Sequence, residues 1–179
     1  GSAKGFMVRE GAFDDVDIAI CWHPAPFSGV TKPVSLACME MDFTFTGRSS
    51  HAAAAPELGR SALDAVELMN VGVNYMREHM PDGARVHYAL QDAGGIAPNV
   101  VQGRARVRYL VRGKTLPEMQ ALVARVKKIA EGAALMTETT VSHQVLSADA
   151  NLVGNTPLEQ AMNANYERLG PPRFDEADK

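Results

Sequence analysis

One histidine follows a short apolar run. His23 stands in Cys-Trp-His-Pro-Ala-Pro, directly after residues 17–22. This run predicts a short buried strand, and α/β folds commonly bind ligands at the C-terminal ends of their strands. A neutral imidazole there can bind a transition metal. Two other interpretations stay open: a histidine that is merely hydrogen-bonded at a strand end, and a base for Cys21 as a nucleophile.

A second histidine lies among small residues. His51 stands in Gly-Arg-Ser-Ser-His-Ala-Ala-Ala-Ala-Pro, outside any patterned element. The alanines permit a ligand or another backbone to approach closely, which makes the imidazole a candidate functional group in a loop. Asn99, in Gly-Gly-Ile-Ala-Pro-Asn-Val-Val, is a candidate ligand because an amide both donates and accepts hydrogen bonds. An exposed loop histidine and an ordinary connection between strands are the alternatives.

Arginines at alternate positions raise the question of RNA binding. Arg104, Arg106 and Arg108 share one face of a predicted strand, whereas Tyr109 points to the other face. RNA-recognition domains place aromatic residues on the base-binding face, so this pattern does not fit them. The formal net charge of -3 also argues against a general binder of nucleic acid or anionic membranes. We therefore expect neither nucleic acid nor a membrane as a partner.

The two cysteines indicate the compartment. Cys21 and Cys38 lie outside any Cys-x-x-Cys spacing, which favours free thiols over a disulfide scaffold. Free thiols are typical of a reducing environment, so we expect the protein to be cytoplasmic.

The middle of the chain alternates between strand and helix patterns. The predicted strands span residues 35–46, 85–91, 104–112 and 138–146. One helix is predicted from Ser61 to Met80, with an S-x-x-D cap, and another opens with the capping box Thr115-Leu116-Pro117-Glu118. The order strand, helix, strand, strand, helix, strand is that of a ferredoxin-like α+β sandwich, with two helices on one face of a four-stranded antiparallel sheet.

This topology makes two further predictions. The first and third strands are neighbours, so Glu40 and Asp42 are expected to form ion pairs with Arg106 and Arg108 on the open face. The second strand lies at an edge, where its unpaired backbone groups favour a homodimer.

The two ends of the chain do not fit the sandwich. Residues 3–10 predict the end of a helix, and residues 17–22 a short buried strand. Thr156-Pro157-Leu158-Glu159 predicts the cap of a further helix, which runs to Leu169 and ends at Gly170-Pro171-Pro172. These pieces are too few to build a core, so we interpret them as parts of a second domain into which the sandwich is inserted.

Three stretches of sequence together resemble a known group of enzymes. They are FTFTGRSSHAAAAPELGRSALDAVELMN, GGIAPNVVQGRARVRYLVRG and KKIAEGAALMTETTV. They are similar to members of the metal-dependent amidohydrolase and peptidase superfamily, which includes aminoacylases, carboxypeptidase G-type enzymes and plant auxin-conjugate hydrolases. The resemblance implies a ferredoxin-like lid and dimerisation domain at residues 35–147, between catalytic-domain segments at residues 1–34 and 148–179.

The resemblance also implies roles for four residues. His23 matches a metal-binding histidine, and His51 matches a lid histidine that polarises the scissile carbonyl in the partner subunit's active site. Asn99 and Arg112 match residues that hold the substrate's carboxylate. The implied reaction is hydrolysis of the amide bond of an N-acyl amino acid, such as an aminobenzoyl-glutamate-like amide, with zinc or manganese as the cofactor.

Other parts of the superfamily's catalytic machinery have no match in this sequence. The remaining metal ligands and the catalytic glutamate are missing, so we expect the chain alone to be inactive. We expect a homodimer through the lid. The sequence leaves open whether a second kind of subunit is required. The alternative from another class is a non-catalytic ferredoxin-like module for dimerisation or amino-acid sensing.

Overall fold

The computed structural model describes residues 2–32 and 34–178, which divide into two compact units. The larger unit spans Leu36–Asn151, and the smaller one combines residues up to 35 with residues from 152 onward. In chain order the helices and strands are α1 (Ala3–Arg9), β1 (Ala37–Thr46), α2 (Ala62–Met76), β2 (Arg85–Asp92), β3 (Arg104–Gly113), α3 (Leu116–Met136), β4 (Thr140–Asp149) and α4 (Thr156–Leu169).

The larger unit is built on one four-stranded sheet. Its strand order is β2-β3-β1-β4, and each neighbouring pair is antiparallel. Together with α2 and α3 this is the ferredoxin-like arrangement, so the predicted α+β fold is confirmed. Strand β4 extends to Asp149, which is beyond the end expected from its apolar pattern.

The two covering helices begin at the predicted caps. The Ser61 hydroxyl accepts a hydrogen bond from the N–H of Asp64 at 3.0 Å, and the Thr115 hydroxyl accepts one from the N–H of Glu118 at 3.4 Å. These bonds satisfy N–H groups that have no partner inside the helix. Helix α2 ends at Met76, earlier than predicted, and a 3-10 turn continues it over Arg77–His79.

The core lies between the sheet and the helices. The alternating side chains of β1 and β3 that face the helices are inaccessible to solvent: Met41, Phe43, Phe45, Ala105, Val107, Tyr109 and Val111. The hydroxyl of Tyr109 donates to Asn70 Oδ1 at 2.6 Å, so its burial leaves no unpaired donor. Burial raises the pKa of Tyr109 above its ordinary value, which keeps this donor protonated.

Strand β2 forms at an edge of the sheet, as predicted, but only part of its apolar face is buried. Val86 is buried, but Tyr88 and Leu90 remain 41% and 49% exposed. Strand β2 pairs only with β3, and its register shifts between Leu90 and Asp92. The alternation marks a strand correctly, but an edge strand lacks a neighbour that would cover its outer side.

The prediction of a buried strand at Asp17–Trp22 is wrong. This segment forms no strand, and Ile18, Ile20 and Trp22 are more than half exposed. The described residues of the smaller unit form no strand, so the segment has no strand with which to pair. It also has no apolar layer to pack against. Helix α4 matches its prediction, although its cap is Asn155 rather than Thr156, and it ends at Gly170 with φ of 76°.

No helix in the described ranges 2–32 and 34–178 combines the length and the hydropathy that crossing a bilayer requires.

Candidate functional site

Two connections continue the β1–β3 pairing beyond the end of the sheet. They are joined by backbone hydrogen bonds from Gly47 N to Gly103 O at 2.8 Å, Val101 N to Ser50 O at 2.9 Å and Ala52 N to Asn99 O at 2.9 Å. His51 and Val100 also form an antiparallel bridge. The structure therefore brings two of the predicted site residues, His51 and Asn99, into neighbouring positions.

The alanines after His51 hold its imidazole ring. His51 Nδ1 accepts hydrogen bonds from the N–H of Ala53 at 3.2 Å and of Ala54 at 3.1 Å. In a neutral imidazole only one nitrogen carries a proton, so an accepting Nδ1 leaves the proton on Nε2. Because His51 is exposed, it presents a fixed N–H donor to the surroundings.

The two connections, residues 47–52 and 99–103, form a ribbon that we call the His51–Asn99 ribbon. Close approach of neighbouring atoms explains its glycines. A Cβ atom on Gly47 would lie 2.0 Å from the carbonyl oxygen of Arg60, and one on Gly103 would lie 2.5 Å from Ser49 Oγ. A larger residue at Gly47 would push this connection away from Arg60, and one at Gly103 would displace Ser49 on the opposite connection. The glycines therefore contribute to the placement of the His51 loop.

Arg60 belongs to this arrangement, although residue patterns did not point to it. Its backbone pairs with Arg48, and its guanidinium donates to Gly59 O at 2.6 Å and forms an ion pair with Glu138 at 2.8 Å. These contacts tie the far end of the His51 loop to the body of the larger unit. The only signal in the sequence is an arginine directly before the Ser61 cap.

Asn99 contributes its backbone to the ribbon. Its carbonyl accepts from Ala52, whereas no hydrogen bond among residues 2–32 and 34–178 holds its side-chain amide. The residue is exposed, so the amide is accessible to a ligand.

Arg112 lies at the other end of the sheet. It is half-buried on β3, opposite Cys38 of β1 and Arg85 of β2. Strand β3 begins at Arg104, next to the His51–Asn99 ribbon. Arg112 is eight positions further along, and this length of extended strand is roughly 27 Å. Within one chain, Arg112 is therefore not brought together with His51 and Asn99.

His23 lies in the smaller unit, in an exposed segment without regular structure. No group of three or more His, Cys, Asp or Glu side chains in the described ranges is arranged to hold a metal ion. A catalytic zinc requires about three protein ligands. The described residues alone therefore do not fit the zinc or manganese site that the resemblance implies.

The predicted ion pairs of the open sheet face are confirmed. Arg108 contacts Asp42 through two hydrogen bonds, at 2.7 and 3.0 Å, and Arg106 lies 3.8 Å from the same carboxylate. Glu40 lies 4.0 Å from Arg108. The hydrogen bonds from Arg108 lower the pKa of Asp42, and its burial opposes them less strongly. This network occupies the middle of the face, between the His51 end and the Arg112 end.

Comparison with known proteins decides the family. The Peptidase dimerisation domain family matches residues 38–138, which include α2, α3 and, except for Ala37, the strands β1 to β3. The chain belongs to this family.

Relatives with known names support the same relationship. The chain is 50% identical over 174 residues to one of the subunits of the p-aminobenzoyl-glutamate hydrolase of Escherichia coli (strain K12), and 30% identical over 171 residues to the Xaa-Arg dipeptidase of Mus musculus. These alignments cover 97% and 95% of this chain. The chain spans only 36% and 39% of the lengths of those relatives.

A solved structure agrees on the fold. The aminobenzoyl-glutamate utilization protein from Klebsiella pneumoniae matches 92% of this chain and 43% of its own, with a TM-score of 0.72 and 24% identity.

Proposed function

We propose that this chain is the lid, with flanking catalytic-domain segments, of a metal-dependent amidohydrolase. The lid is residues 35–147, and the flanking segments are residues 1–34 and 148–179. The proposed substrate is an N-acyl amino acid such as p-aminobenzoyl-glutamate. The family match and the 50% identity to the Escherichia coli hydrolase support this reaction class. The chain alone is inactive in this proposal, because the described residues hold no complete metal site.

The observation that carries the proposal is the geometry of His51. Its Nδ1 accepts from two backbone N–H groups, so the proton lies on Nε2, which is the donor that this exposed residue can offer to a substrate. When a nucleophile adds to an amide carbonyl, negative charge develops on the carbonyl oxygen, and a preorganised N–H donor stabilises that charge. His51 acts in this role toward a substrate held mainly by the partner subunit.

Asn99 and Arg112 bind the carboxylate of the amino-acid part of the substrate. A guanidinium is permanently charged and planar, and it matches a carboxylate with two parallel hydrogen bonds. The exposed amide of Asn99 supplies a further donor from the same ribbon as His51.

His23 contributes one ligand to a zinc or manganese ion in the longer enzyme. One ligand cannot hold a catalytic metal, so none of the steps described for this chain depends on the ion. The free thiols Cys21 and Cys38 support a reducing, cytoplasmic location.

The dimer forms through the edge of β2. The carbonyl of Val86 accepts from the Arg77 guanidinium at 2.8 Å, which indicates that it faces away from β3. Residues two apart in a strand direct their backbone groups alike, so Tyr88 also faces outward and can pair with a second copy. Helix α2 also exposes three apolar side chains at helical spacing: Leu68, Val71 and Tyr75. An open strand edge and exposed apolar side chains both favour association.

A two-fold axis through β2 also accounts for the separation of the site residues. Antiparallel pairing of two β2 strands places the Arg85 end of one copy beside the Asp92 end of the other. Arg85 lies opposite Arg112, and Asp92 lies beside the start of the His51–Asn99 ribbon. Arg112 of one subunit and His51 of the partner subunit then share one end of the joined sheet, and both serve one active site.

The test is complementation in the longer enzyme that contains this lid. His51→Ala and Arg112→Ala homodimers should each lose most activity, with His51→Ala lowering kcat by about 10²–10³-fold at unchanged metal content. Mixing them under subunit exchange should restore activity, because one site of each heterodimer receives both intact residues.

The matched control is the double variant His51→Ala with Arg112→Ala, mixed with wild type. Each heterodimer site then has one defective residue, so exchange should reduce activity instead of restoring it. Tyr88→Pro should remove a backbone donor and give monomers in sedimentation. If verified heterodimers of the two single variants stay inactive, His51 does not act across the dimer. Full activity of His51→Ala would show that His51 is not a catalytic residue, and it would favour a lid that serves only for dimerisation or amino-acid sensing.

A further inference from the structure

Two arginines face each other across neighbouring strands at one end of the open sheet face. Arg85 of β2 is directly opposite Arg112 of β3. Side chains opposite each other in an antiparallel pair have Cβ atoms about 4.5–5.5 Å apart, and like charges in this arrangement repel. The two cations therefore form a local concentration of positive charge.

The other arginines of this face have carboxylate partners. Arg104 pairs with Asp92 at 3.1 Å, and Arg108 pairs with Asp42 at 2.7 Å. No ion pair among residues 2–32 and 34–178 includes Arg85 or Arg112. Glu40 is diagonal to Arg112 in the register but lies within 4.0 Å of Arg108 instead. An anion that binds between Arg85 and Arg112 would remove the repulsion.

We infer that Arg85 and Arg112 together recognise a dicarboxylate, so that Arg85 selects substrates whose amino acid has an acidic side chain. This inference rests on the proposed function, in which Arg112 binds the α-carboxylate. Arg85 then binds the side-chain carboxylate. The two carboxylates of such an amino acid are joined by a short carbon chain, which suits two guanidinium groups on adjacent strands.

The position of Arg85 in the fold supports this role. It is exposed, and it uses Nη1 to donate to the carbonyl of Ala84 at 2.7 Å, which leaves its other donors for a ligand. As a residue of the edge strand, it lies on the side of Arg112 from which a second copy approaches in the proposed dimer. A substrate bound between Arg112 and His51 of the partner subunit would therefore lie beside Arg85.

The experiment compares two substrates in the longer enzyme that contains this chain: p-aminobenzoyl-glutamate and p-aminobenzoyl-glutamine, whose side chains end in a carboxylate and in a neutral amide of nearly the same shape. Arg85→Gln should lower kcat/KM for the glutamate substrate by about 10-fold to 100-fold, the effect of one charge-assisted contact, mainly through KM. It should leave kcat/KM for the glutamine substrate unchanged. Arg85→Lys, which keeps the charge, should retain part of the preference.

Two further variants separate the inference from the proposal beneath it. Arg112→Gln should lower kcat/KM for both substrates, because both have an α-carboxylate. Lys128→Gln removes an exposed cation from α3, on the covered side of the sheet, and should change neither value. If Arg112→Gln lowers both values but Arg85→Gln lowers both equally or neither, the role of Arg85 is wrong and the proposed function stands. If Arg112→Gln affects neither substrate, the proposed carboxylate site is itself wrong, and the role of Arg85 falls with it.

Discussion

The two units of this chain differ in what their apolar residues contact. In the larger unit, the alternating apolar residues of β1 and β3 pack beneath α2 and α3, and all of them except the partly buried Met39 are inaccessible to solvent. In the described residues of the smaller unit no residue is buried, although it contains Ile18, Ile20 and Trp22. An apolar pattern therefore produces a buried strand only when a second layer and a neighbouring strand are available.

The same rule explains which parts of the fold the sequence predicts. Alternation over residues 35–46 and 104–112 identified β1 and β3, and the order of the elements then predicted that Asp42 and Arg108 pair across them. The prediction failed at residues 17–22, where burial required a second apolar layer that the pattern alone does not reveal. A pattern shows which side chains are apolar. Whether those side chains are buried depends on elements elsewhere in the chain or in a partner.

The candidate site was predictable to a smaller extent. Family resemblance named His51, Asn99 and Arg112, but residue spacing could not reveal that Ala53 and Ala54 hold the His51 ring, because this contact depends on the turn geometry. The opposition of Arg85 and Arg112 required the strand register, which a sequence pattern leaves uncertain by a residue or two.

The largest effect should come from truncating the core of the larger unit. Phe43→Ala removes an aromatic side chain from a residue that is 1% exposed. Its ring packs edge-to-face on Tyr109, with the two ring centroids 5.8 Å apart. We expect the free energy of unfolding to fall by about 3–5 kcal/mol, measured by urea denaturation. The matched change in the smaller unit, Ile20→Ala, should alter it by no more than about 0.5 kcal/mol. A comparable loss for Ile20→Ala would mean that the smaller unit has a core of its own.

An intermediate effect should come from the charge network of the open face. Asp42→Asn weakens the hydrogen bonds from Arg108 and leaves a buried polar group beside a cation. We expect a loss of about 1–2 kcal/mol, because the carboxylate is buried but Arg108 is partly exposed to solvent. Glu10→Gln, in the exposed Arg9–Glu10 pair of the smaller unit, should change stability by less than about 0.5 kcal/mol.

The Asp42 network also predicts the direction of a pH dependence. The pKa of Asp42 is lower in the folded protein than its ordinary value of 3.8. Its contribution to stability is therefore complete above that value and is lost as the pH falls below it and the folded carboxylate becomes protonated. Urea midpoints of the wild type should decrease more steeply than those of Asp42→Asn as the pH falls below 3.8. Equal slopes would show that the ion pair does not stabilise the fold.

The smallest effect should be metal binding by this chain. His23 is exposed, and the described residues offer no group of three ligands. A single imidazole binds zinc weakly, because tight sites combine several ligands with fixed geometry. Calorimetric titration with zinc or manganese should therefore give the same weak signal for the wild type and for His23→Ala, and metal should not raise the melting temperature of either. His79→Ala, which removes a histidine of the larger unit, is the control for nonspecific binding. Tight one-to-one binding that is lost in His23→Ala but kept in His79→Ala would contradict this prediction. It would mean that the smaller unit, although it has no buried residues in its described part, already contains a formed metal site.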